Sequence, residues 1–319
     1  FLQIRKNLSA WWLGLIFEKS NFAKSIHINN VVKLIAFSIW FKGKSFNHIT
    51  LYTNNKNLNN TFNKFCKEKN IKYECKKIKN FLSRKLFPSF YQIFHYIPNP
   101  LKGFIWFSYK IFYNIPLINV GKKQWKSTQK DFIFVSYLFN MINHNKNNFL
   151  YSSYWGNLPE KLLINNKSSS WIHIFVKDDF IDTPRKAAKY INHLNSKSNK
   201  IQTHVTLFSF LNFKVIKKVF LDWFNLFFKI YNLKISKIIP PLSGFDVWDF
   251  YQKEWIDSFI GVSAIENLFM LSLFEEAFSL SNKPNSLTYL QENQGWESGM
   301  LSVCKTNNYS KIIGFAHAT

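Results

Sequence analysis

The stretch SLTYLQENQGWESGM, residues 286–300, joins an apolar run to a cluster of polar residues and then to a helical pattern. The apolar run predicts a strand, and WESGMLSVCKTNN predicts a helix after it. A second apolar run follows in KIIGFAHAT, residues 311–319. A strand, a helix and another strand in this order are typical of a parallel βαβ unit. We therefore expect residues 286–292 and 311–317 to be neighbouring parallel strands.

Polar side chains follow both of these predicted strands. Glu292, Asn293 and Gln294 come at the end of the first strand, and His317 comes at the end of the second. Ligands of open parallel sheets bind beyond the carboxyl ends of the strands, and neighbouring strands lie about 5 Å apart. The pattern therefore predicts one shared ligand, with His317 as a base or as a cation that steadies a departing phosphate. Glu292 would orient His317 or hold a substrate hydroxyl.

A structural role is the alternative for both residues. In that interpretation Glu292 caps the following helix and His317 satisfies a buried carbonyl group. The sequence alone leaves the catalytic and the structural interpretations open.

Two earlier parts of the chain repeat the same order of elements. Residues 48–78 contain a short strand pattern, a helical pattern and another strand pattern. Residues 130–141, KDFIFVSYLFNM, predict a buried strand with Ser136 and Tyr137 where the strand should end. Residues 168–179 predict another strand, and a helical pattern follows it. These units predict an α/β protein with parallel sheets.

Two aromatic segments are candidates for contact with a membrane surface. Residues 210–234 predict an amphipathic helix that either packs in the core or lies in a membrane interface. Residues 81–118 are rich in aromatic side chains but are broken by prolines. Their longest proline-free part, residues 101–115, is shorter than the roughly 20 apolar residues that span a bilayer. We expect a buried or membrane-surface hairpin there.

A stretch with Pro240, Pro241 and Gly244 marks the predicted domain junction. We expect residues 1–240 to form one domain, with its aromatic and basic segments near a membrane. Residues 241–319 are expected to form linker helices and the start of a second domain. The chain does not begin with Met and stops just after a predicted strand, so we expect a fragment of a longer protein.

The net charge of +24 is concentrated in the first part of the chain. Residues 1–130 hold 23 Lys and Arg against 3 Asp and Glu, whereas the chain from residue 242 onward holds 4 against 9. This polarity favours anionic ligands or anionic lipid at one face, and solvated lysines from a biased genome composition are the alternative. RNA binding is a further alternative, but an RRM-like or KH-like signature is absent from the sequence, so we do not favour nucleic acid.

The cysteines, the histidines and the absence of common enzyme motifs limit the classes of protein that the sequence allows. The three cysteines have no metal-site spacing and favour a reducing, intracellular compartment. The sequence has no Walker A, G-x-G-x-x-G, H-E-x-x-H or G-x-S-x-G motif, which argues against the enzyme classes that use them. We expect no metal site and no cofactor. His173 is expected in the core, and His193 and His204 at the surface.

Several stretches, in one order from about residue 130 to the end, resemble bacterial surface-carbohydrate biosynthesis proteins of the glycosyltransferase B type. They are FIFVSYLFNMIN, YWGNLPEKL, SSSWIHIFV, VWDFYQKEWIDSFIGVSAIENL, YLQENQGWESGM and IGFAHAT. The most specific elements are Glu-Asn-Gln-x-x-Glu, which ends at Glu297, and Gly-Phe-x-His-x-Thr, which ends at Thr319. The second is also similar to the His-Gly-Thr segment of polyglycerolphosphate-type transferases, with Ala318 in place of the glycine.

The resemblance implies two Rossmann-like domains with parallel sheets that face each other across a cleft, the second one truncated. It implies transfer of a nucleotide-activated sugar to a surface polysaccharide or a lipid-linked acceptor, with His317 and Glu292 as catalytic residues. The substrate-binding residues would be Asn293, Gln294, Glu297, Thr319, Ser136 and Tyr137. We expect such a protein in the cytoplasm, with peripheral contact to the inner face of the plasma membrane. A noncatalytic scaffold for polysaccharide assembly is the alternative.

Overall fold

The computed structural model describes residues 2–14, 27–78, 97–128, 131–138, 150, 152–197, 201–233, 241–281 and 284–316. Its strands are β1 (Gln3–Arg5), β2 (Leu8–Ser9), β3 (His48–Tyr52), β4 (Lys72–Lys76), β5 (Phe132–Leu138), β6 (Ser169–Phe175), β7 (Gln202–Thr206), β8 (Ser286–Gln291) and β9 (Ile312–Ala316). Its helices are α1 (His27–Phe41), α2 (Lys56–Glu68), α3 (Asn99–Tyr113), α4 (Lys122–Ser127), α5 (Leu158–Ile164), α6 (Pro184–Lys197), α7 (Phe213–Tyr231), α8 (Trp248–Ile260), α9 (Val262–Ser279) and α10 (Gly295–Thr306).

The largest sheet of the described residues has five parallel strands in the order β7-β6-β5-β8-β9. Counted from the first strand along the chain, this order is 3-2-1-4-5. The direction in which strands are added therefore reverses between β5 and β8. β8 and β9 are neighbours and run parallel, with Gln291 opposite Ala316. The α/β class and the βαβ unit predicted for residues 286–316 are confirmed.

Successive side chains of β5 point to opposite faces of the sheet, and other residues cover each face. On one face, the Phe134 ring lies 5.3 Å from the ring of Trp155, and Trp155 Nε1 donates to Ser136 Oγ at 2.9 Å. On the other face, the ring of Tyr137 lies 6.1 Å from that of Trp296 in α10. Because both faces are covered, the sheet is buried on both sides, as parallel sheets are.

α9 is the central helix of the large core. Its side chains are buried all around the helix, and it packs against α3, α7, α8 and α10. Residues 248–279, which hold α8 and α9, are the one segment of the described chain that is long and apolar enough to cross a membrane by length and composition. In the structure 67% of the apolar window is buried inside the protein. A core helix that is apolar on all sides passes the same test.

A second, smaller core joins residues 27–78 to a turn that follows residue 240. β3 and β4 form a two-stranded parallel sheet with α2 between them in the chain, as predicted. Ser243 and Gly244 have positive φ angles in the turn, and Phe245 after it is fully buried. The Phe245 ring stacks on that of Phe65 at 4.4 Å. The turn signal in the sequence therefore marks the place where the chain docks on this small core.

The boundary predicted at residue 240 does not separate two sheets. β8 and β9 come after it and lie in the same sheet as β5, β6 and β7, which come before it. Within the described ranges, no second sheet has more than two strands. The difference arises because proline and glycine mark a turn but carry no information on which strands pair on either side of it.

The two aromatic segments are helical where the structure describes them. The amphipathic helix predicted for residues 210–234 is confirmed as α7. Residues 99–113 form α3, so the predicted hairpin is wrong there, and residues 79–96 lie outside the described residues. Pro98 and Pro100 stand at the start of α3, where a proline is compatible with a helix because the first turn needs no intrahelical N–H donor.

A charged network ties the first strand to the central helices. Arg5 of β1 donates to both carboxylate oxygens of Asp222 in α7, at 3.0 and 2.7 Å, and to Glu275 in α9 at 2.7 Å. Lys218 contacts the same Glu275 at 2.8 Å. Burial opposes the Arg5 charge, but the hydrogen bonds to Glu275 and Asp222 outweigh it and raise the Arg5 pKa. Burial also opposes the Glu275 charge, but Arg5 and Lys218 lower its pKa.

We expect Arg5→Leu to lower the free energy of unfolding by about 1–3 kcal/mol, because it leaves two partly buried carboxylates without their main cation. Lys64→Gln is the control: its ion pair with Asp246 is largely exposed, and such pairs contribute about 0–1 kcal/mol. Urea denaturation of both variants measures the difference. An equal loss in both would contradict a special role for Arg5.

Two histidines form a fully buried pair in the large sheet. His173 Nε2 lies 3.1 Å from His204 Nδ1, and both side chains are inaccessible to solvent. Burial lowers the pKa of His173 to about 3, and burial, with the neighbouring His173 imidazole, lowers the pKa of His204. The core position predicted for His173 is confirmed, and the surface position predicted for His204 is wrong. The lysine-serine loop before β7 suggested exposure, but His204 lies in the strand itself.

This pair predicts that stability falls with acid. Both imidazoles stay neutral in the fold, whereas unfolded histidines take up protons below their ordinary pKa of 6.5. The pair therefore contributes its full stabilisation above pH 6.5. Below pH 6.5 the free energy of unfolding decreases, by up to about 1.4 kcal/mol per pH unit for each imidazole. His173→Leu should show a shallower decrease in denaturation curves recorded between pH 7 and pH 5. Exposed His193→Gln is the control, and an identical slope in wild type and His173→Leu would refute the assignment.

Candidate functional site

A hydrogen-bonded cluster lies at the carboxyl ends of β5 and β8, where the strand order reverses. Tyr137 Oη donates to Glu292 Oε2 at 3.1 Å, and Gln294 Nε2 donates to the same oxygen at 2.5 Å. Burial and the neighbouring Glu292 charge raise the Tyr137 pKa, so its hydroxyl remains protonated and donates. Within the described part of the chain, the other oxygen of Glu292 accepts no hydrogen bond. Two donors thus fix the position of one carboxylate oxygen.

The loop that carries this cluster is held by Glu297. Its buried carboxylate accepts from the backbone N–H groups of Glu292 at 2.9 Å and of Gln294 at 3.1 Å. Gln294 and Glu297 form a capping box at the start of α10. Burial raises the pKa of Glu297, and the backbone donors oppose that rise. Glu297, rather than Glu292, is therefore the carboxylate that caps the helix.

A cavity of about 200 Å³ opens beside the cluster. Tyr137 and Gln294 form part of its wall, so Glu292 lies behind two of the groups that a ligand would meet. The other lining residues are mainly aromatic or apolar: Trp106, Ile174, Phe175, Val176, Phe208, Phe269, Met270 and Trp296, with Lys110, Ser263, Glu266 and Asn267. Small-molecule sites typically combine an apolar lining with a few convergent polar groups. Since such sites measure about 300–1,000 Å³, this cavity fits one ring-sized part of a larger ligand.

α3 reaches the cavity because Gly103 allows it to approach the junction of α8 and α9. A Cβ atom at Gly103 would lie 3.1 Å from the carbonyl oxygen of Gly261 and 3.4 Å from the side chain of Trp223. One turn later, the Phe107 ring meets that of Phe269 edge-on at 4.9 Å. The close packing brings one side of α3 to the cavity wall.

Lys110 puts one positive charge in the cavity wall, which also contains one carboxylate, that of Glu266. Lys110 is the only basic residue among the described residues that line the cavity, and its Nζ lies 5.2 Å from the centre of the Trp106 ring. A lysine beside an aromatic plane suits a phosphate next to a flat ring, because the cation attracts the phosphate and the ring stacks. Neither residue was singled out from the sequence. A signal existed in the apolar run of residues 101–115, which two lysines interrupt.

The structure brings together some of the predicted site residues and separates others. Tyr137, Glu292 and Gln294 meet at one edge. Ser136 points to the opposite face of the sheet, where it accepts from Trp155, because neighbouring residues of a strand alternate. Asn293 is exposed in a left-handed conformation, with φ of 58°. His317 and Thr319 lie outside the described residues.

The described residues contain no group of three or more His, Cys, Asp or Glu side chains that could hold a metal ion. Comparisons of the chain with known protein families, with curated proteins and with solved structures found no match.

We expect Glu297→Ala to destabilise the fold by about 1–3 kcal/mol, because the buried N–H groups of Glu292 and Gln294 lose their acceptor. Glu297→Gln keeps one acceptor oxygen and should lose less. Chemical denaturation measures the stability, and hydrogen exchange at the amides of 292 and 294 should accelerate in Glu297→Ala. Unchanged exchange in that variant would show that the loop is held by other contacts.

Proposed function

We propose that this protein transfers a nucleotide-activated sugar to a glycan or lipid-linked acceptor, with the cavity beside Tyr137, Glu292 and Gln294 as part of its substrate site. The observation that carries the proposal is the position of this cluster. It stands where the strand order of a parallel sheet reverses, which is where open α/β sheets bind ligands. Two Rossmann-like domains, with the second incomplete in this chain, belong to the same proposal.

The chemistry of the cavity supports a substrate with a ring and a phosphate. Trp106 and Trp296 offer aromatic surface for a sugar or a base, and Lys110 offers a charge for the diphosphate. The Tyr137 oxygen, whose hydrogen is donated to Glu292, would accept a hydrogen bond from a sugar hydroxyl, and the second amide hydrogen of Gln294 would donate one. Tyr137 and Gln294 would contact the substrate, and Glu292 would position both of them through its Oε2 atom.

A base for the acceptor hydroxyl completes the proposed reaction. His317 follows β9 directly in the chain, and we assign it this role on the grounds of sequence alone. The acceptor oxygen would form a bond to the anomeric carbon as the bond from that carbon to the diphosphate breaks, and the acceptor proton would pass to the imidazole. Lys110 would attract the departing diphosphate.

Calorimetric titration with a panel of nucleoside diphosphate sugars tests the proposal. We expect at least one of them to bind the full chain more tightly than the corresponding nucleoside monophosphate. Tyr137→Phe and Glu292→Gln should each weaken that binding about tenfold, because each removes or weakens a hydrogen bond that involves a charged group. Glu68→Gln, at an exposed carboxylate at the end of α2, is the control.

Two outcomes would overturn the proposal. One is that none of the nucleoside diphosphate sugars binds more tightly than the monophosphates. The other is that Tyr137→Phe and Glu292→Gln bind like the Glu68→Gln control, which would leave the cluster with a structural role.

A further inference from the structure

The outward face of α3 is apolar. Its buried side centres on Gly103 and Phe107. The opposite side carries exposed large apolar residues, with 41–72% of each side chain accessible: Leu101, Phe104, Ile105, Tyr109 and Phe112. Ser108 is the only polar residue among them. A solvent-facing helix normally shows the reverse pattern, so this face has the composition of an interaction surface.

α7 continues this surface. Its buried side holds Val219 and Trp223. Its outer side exposes Phe213, Leu221, Phe224, Phe228 and Tyr231, between 51% and 81% accessible. The Phe220 ring of α7 lies 6.0 Å from that of Phe104 in α3 and 6.5 Å from that of Phe224. These ring contacts join the two exposed sides into one patch, which we call the aromatic face.

The two helices run antiparallel beneath the aromatic face. Gly103 lies against Trp223, and four residues later Phe107 packs against Phe220 at 5.2 Å. Residue numbers therefore rise along one helix as they fall along the other at this contact.

The two helices that form the aromatic face are basic. α3 carries Lys102 and, on its cavity side, Lys110, and α7 carries Lys214, Lys217, Lys229 and Lys218, whose ammonium group pairs with Glu275. The only acidic residue in either helix is Asp222, which binds Arg5. A surface of this kind complements an anionic lipid headgroup layer, in which aromatic side chains enter the interface and lysines stay at the phosphates.

The same charges argue against pairing with a second copy of the chain. A two-fold symmetric contact would bring the lysines of both copies together without acidic partners on these helices. Single-stranded nucleic acid is less well matched, because it needs a charged groove, whereas the exposed apolar residues here lie on the outer sides of two helices.

We propose that the aromatic face docks on the surface of an anionic lipid bilayer. Burial of aromatic side chains in the interface supplies the attraction, and the flanking lysines select anionic lipid. α3 also carries Trp106 and Lys110 on its cavity side. Docking would place the proposed sugar-binding cavity near the bilayer. The acceptor would then be the lipid-linked one, and this conclusion about the acceptor rests on the proposed function.

Co-sedimentation of the full chain with vesicles tests the docking without any sugar substrate. We expect binding to vesicles that contain phosphatidylglycerol and much weaker binding to pure phosphatidylcholine. The double variant Phe112→Gln, Phe228→Gln should lower the partition at least about tenfold. The matched control is Ile164→Gln, Tyr52→Gln, since these side chains are as exposed, at 72% and 62% against 72% and 63%, and lie on α5 and β3.

A charge variant separates the contribution of the lysines from that of the aromatic side chains. Lys214→Gln, Lys217→Gln should weaken binding to phosphatidylglycerol vesicles and reduce its salt dependence, while folding stays intact because both lysines are exposed. Equal binding to both kinds of vesicle, or full binding by the aromatic double variant, would overturn the proposal. So would a wild-type dimer that the double variant converts to a monomer, or retention on RNA that the double variant loses without any binding to vesicles. These measurements need no nucleotide sugar. They can therefore refute membrane docking without refuting the proposed transfer reaction, and the reverse.

Discussion

Parallel pairing of β5 on both of its edges is the constraint on which the site depends. Phe132 lies opposite Ser169 of β6 on one side and opposite Ser286 of β8 on the other. The chain must therefore leave β5 in one direction, build two strands, and return more than a hundred residues later to build in the other direction. The reversal of the strand order between β5 and β8 favours a crevice at the carboxyl ends of these two strands, as in other open α/β sheets.

The crevice is polar at its floor and apolar at its walls, and both properties follow from the covering elements. Tyr137 is the second-last residue of β5, and its side chain lies on the face that α9 and α10 cover. Its hydroxyl is therefore buried and needs an acceptor. Glu292 supplies that acceptor because the Glu297 cap fixes the loop between β8 and α10. The aromatic walls come from α3, from α9 and from the start of α10. The site thus results from the way in which helices that are apolar on more than one side cover the parallel sheet.

Local patterns in the sequence predicted the strands and helices well, and long-range pairing poorly. Alternation and spacing identified β8, α10 and β9, because these patterns reflect burial of each element on its own. The sequence around residue 240 did not predict that strands on both sides of it share one sheet, because membership of a sheet depends on partners far away in the chain. Tyr137 and Glu292 could be named, since they stand at strand ends, but not paired with each other. Lys110 and Trp106 were not predicted as site residues, because their place in the cavity wall arises only when α3 packs against α8 and α9.

The close approach at Gly103 has a consequence for how the molecule can vary. Gly103 carries only hydrogen on its Cα atom, so α3 rests directly on the backbone at Gly261. The position of α3, and with it one wall of the cavity, therefore depends on a main-chain contact as well as on the residues that line the cavity. Evolution or engineering could enlarge the binding space by adding a single methyl group at a position that never touches the ligand, provided that α3 shifts outward as a rigid rod.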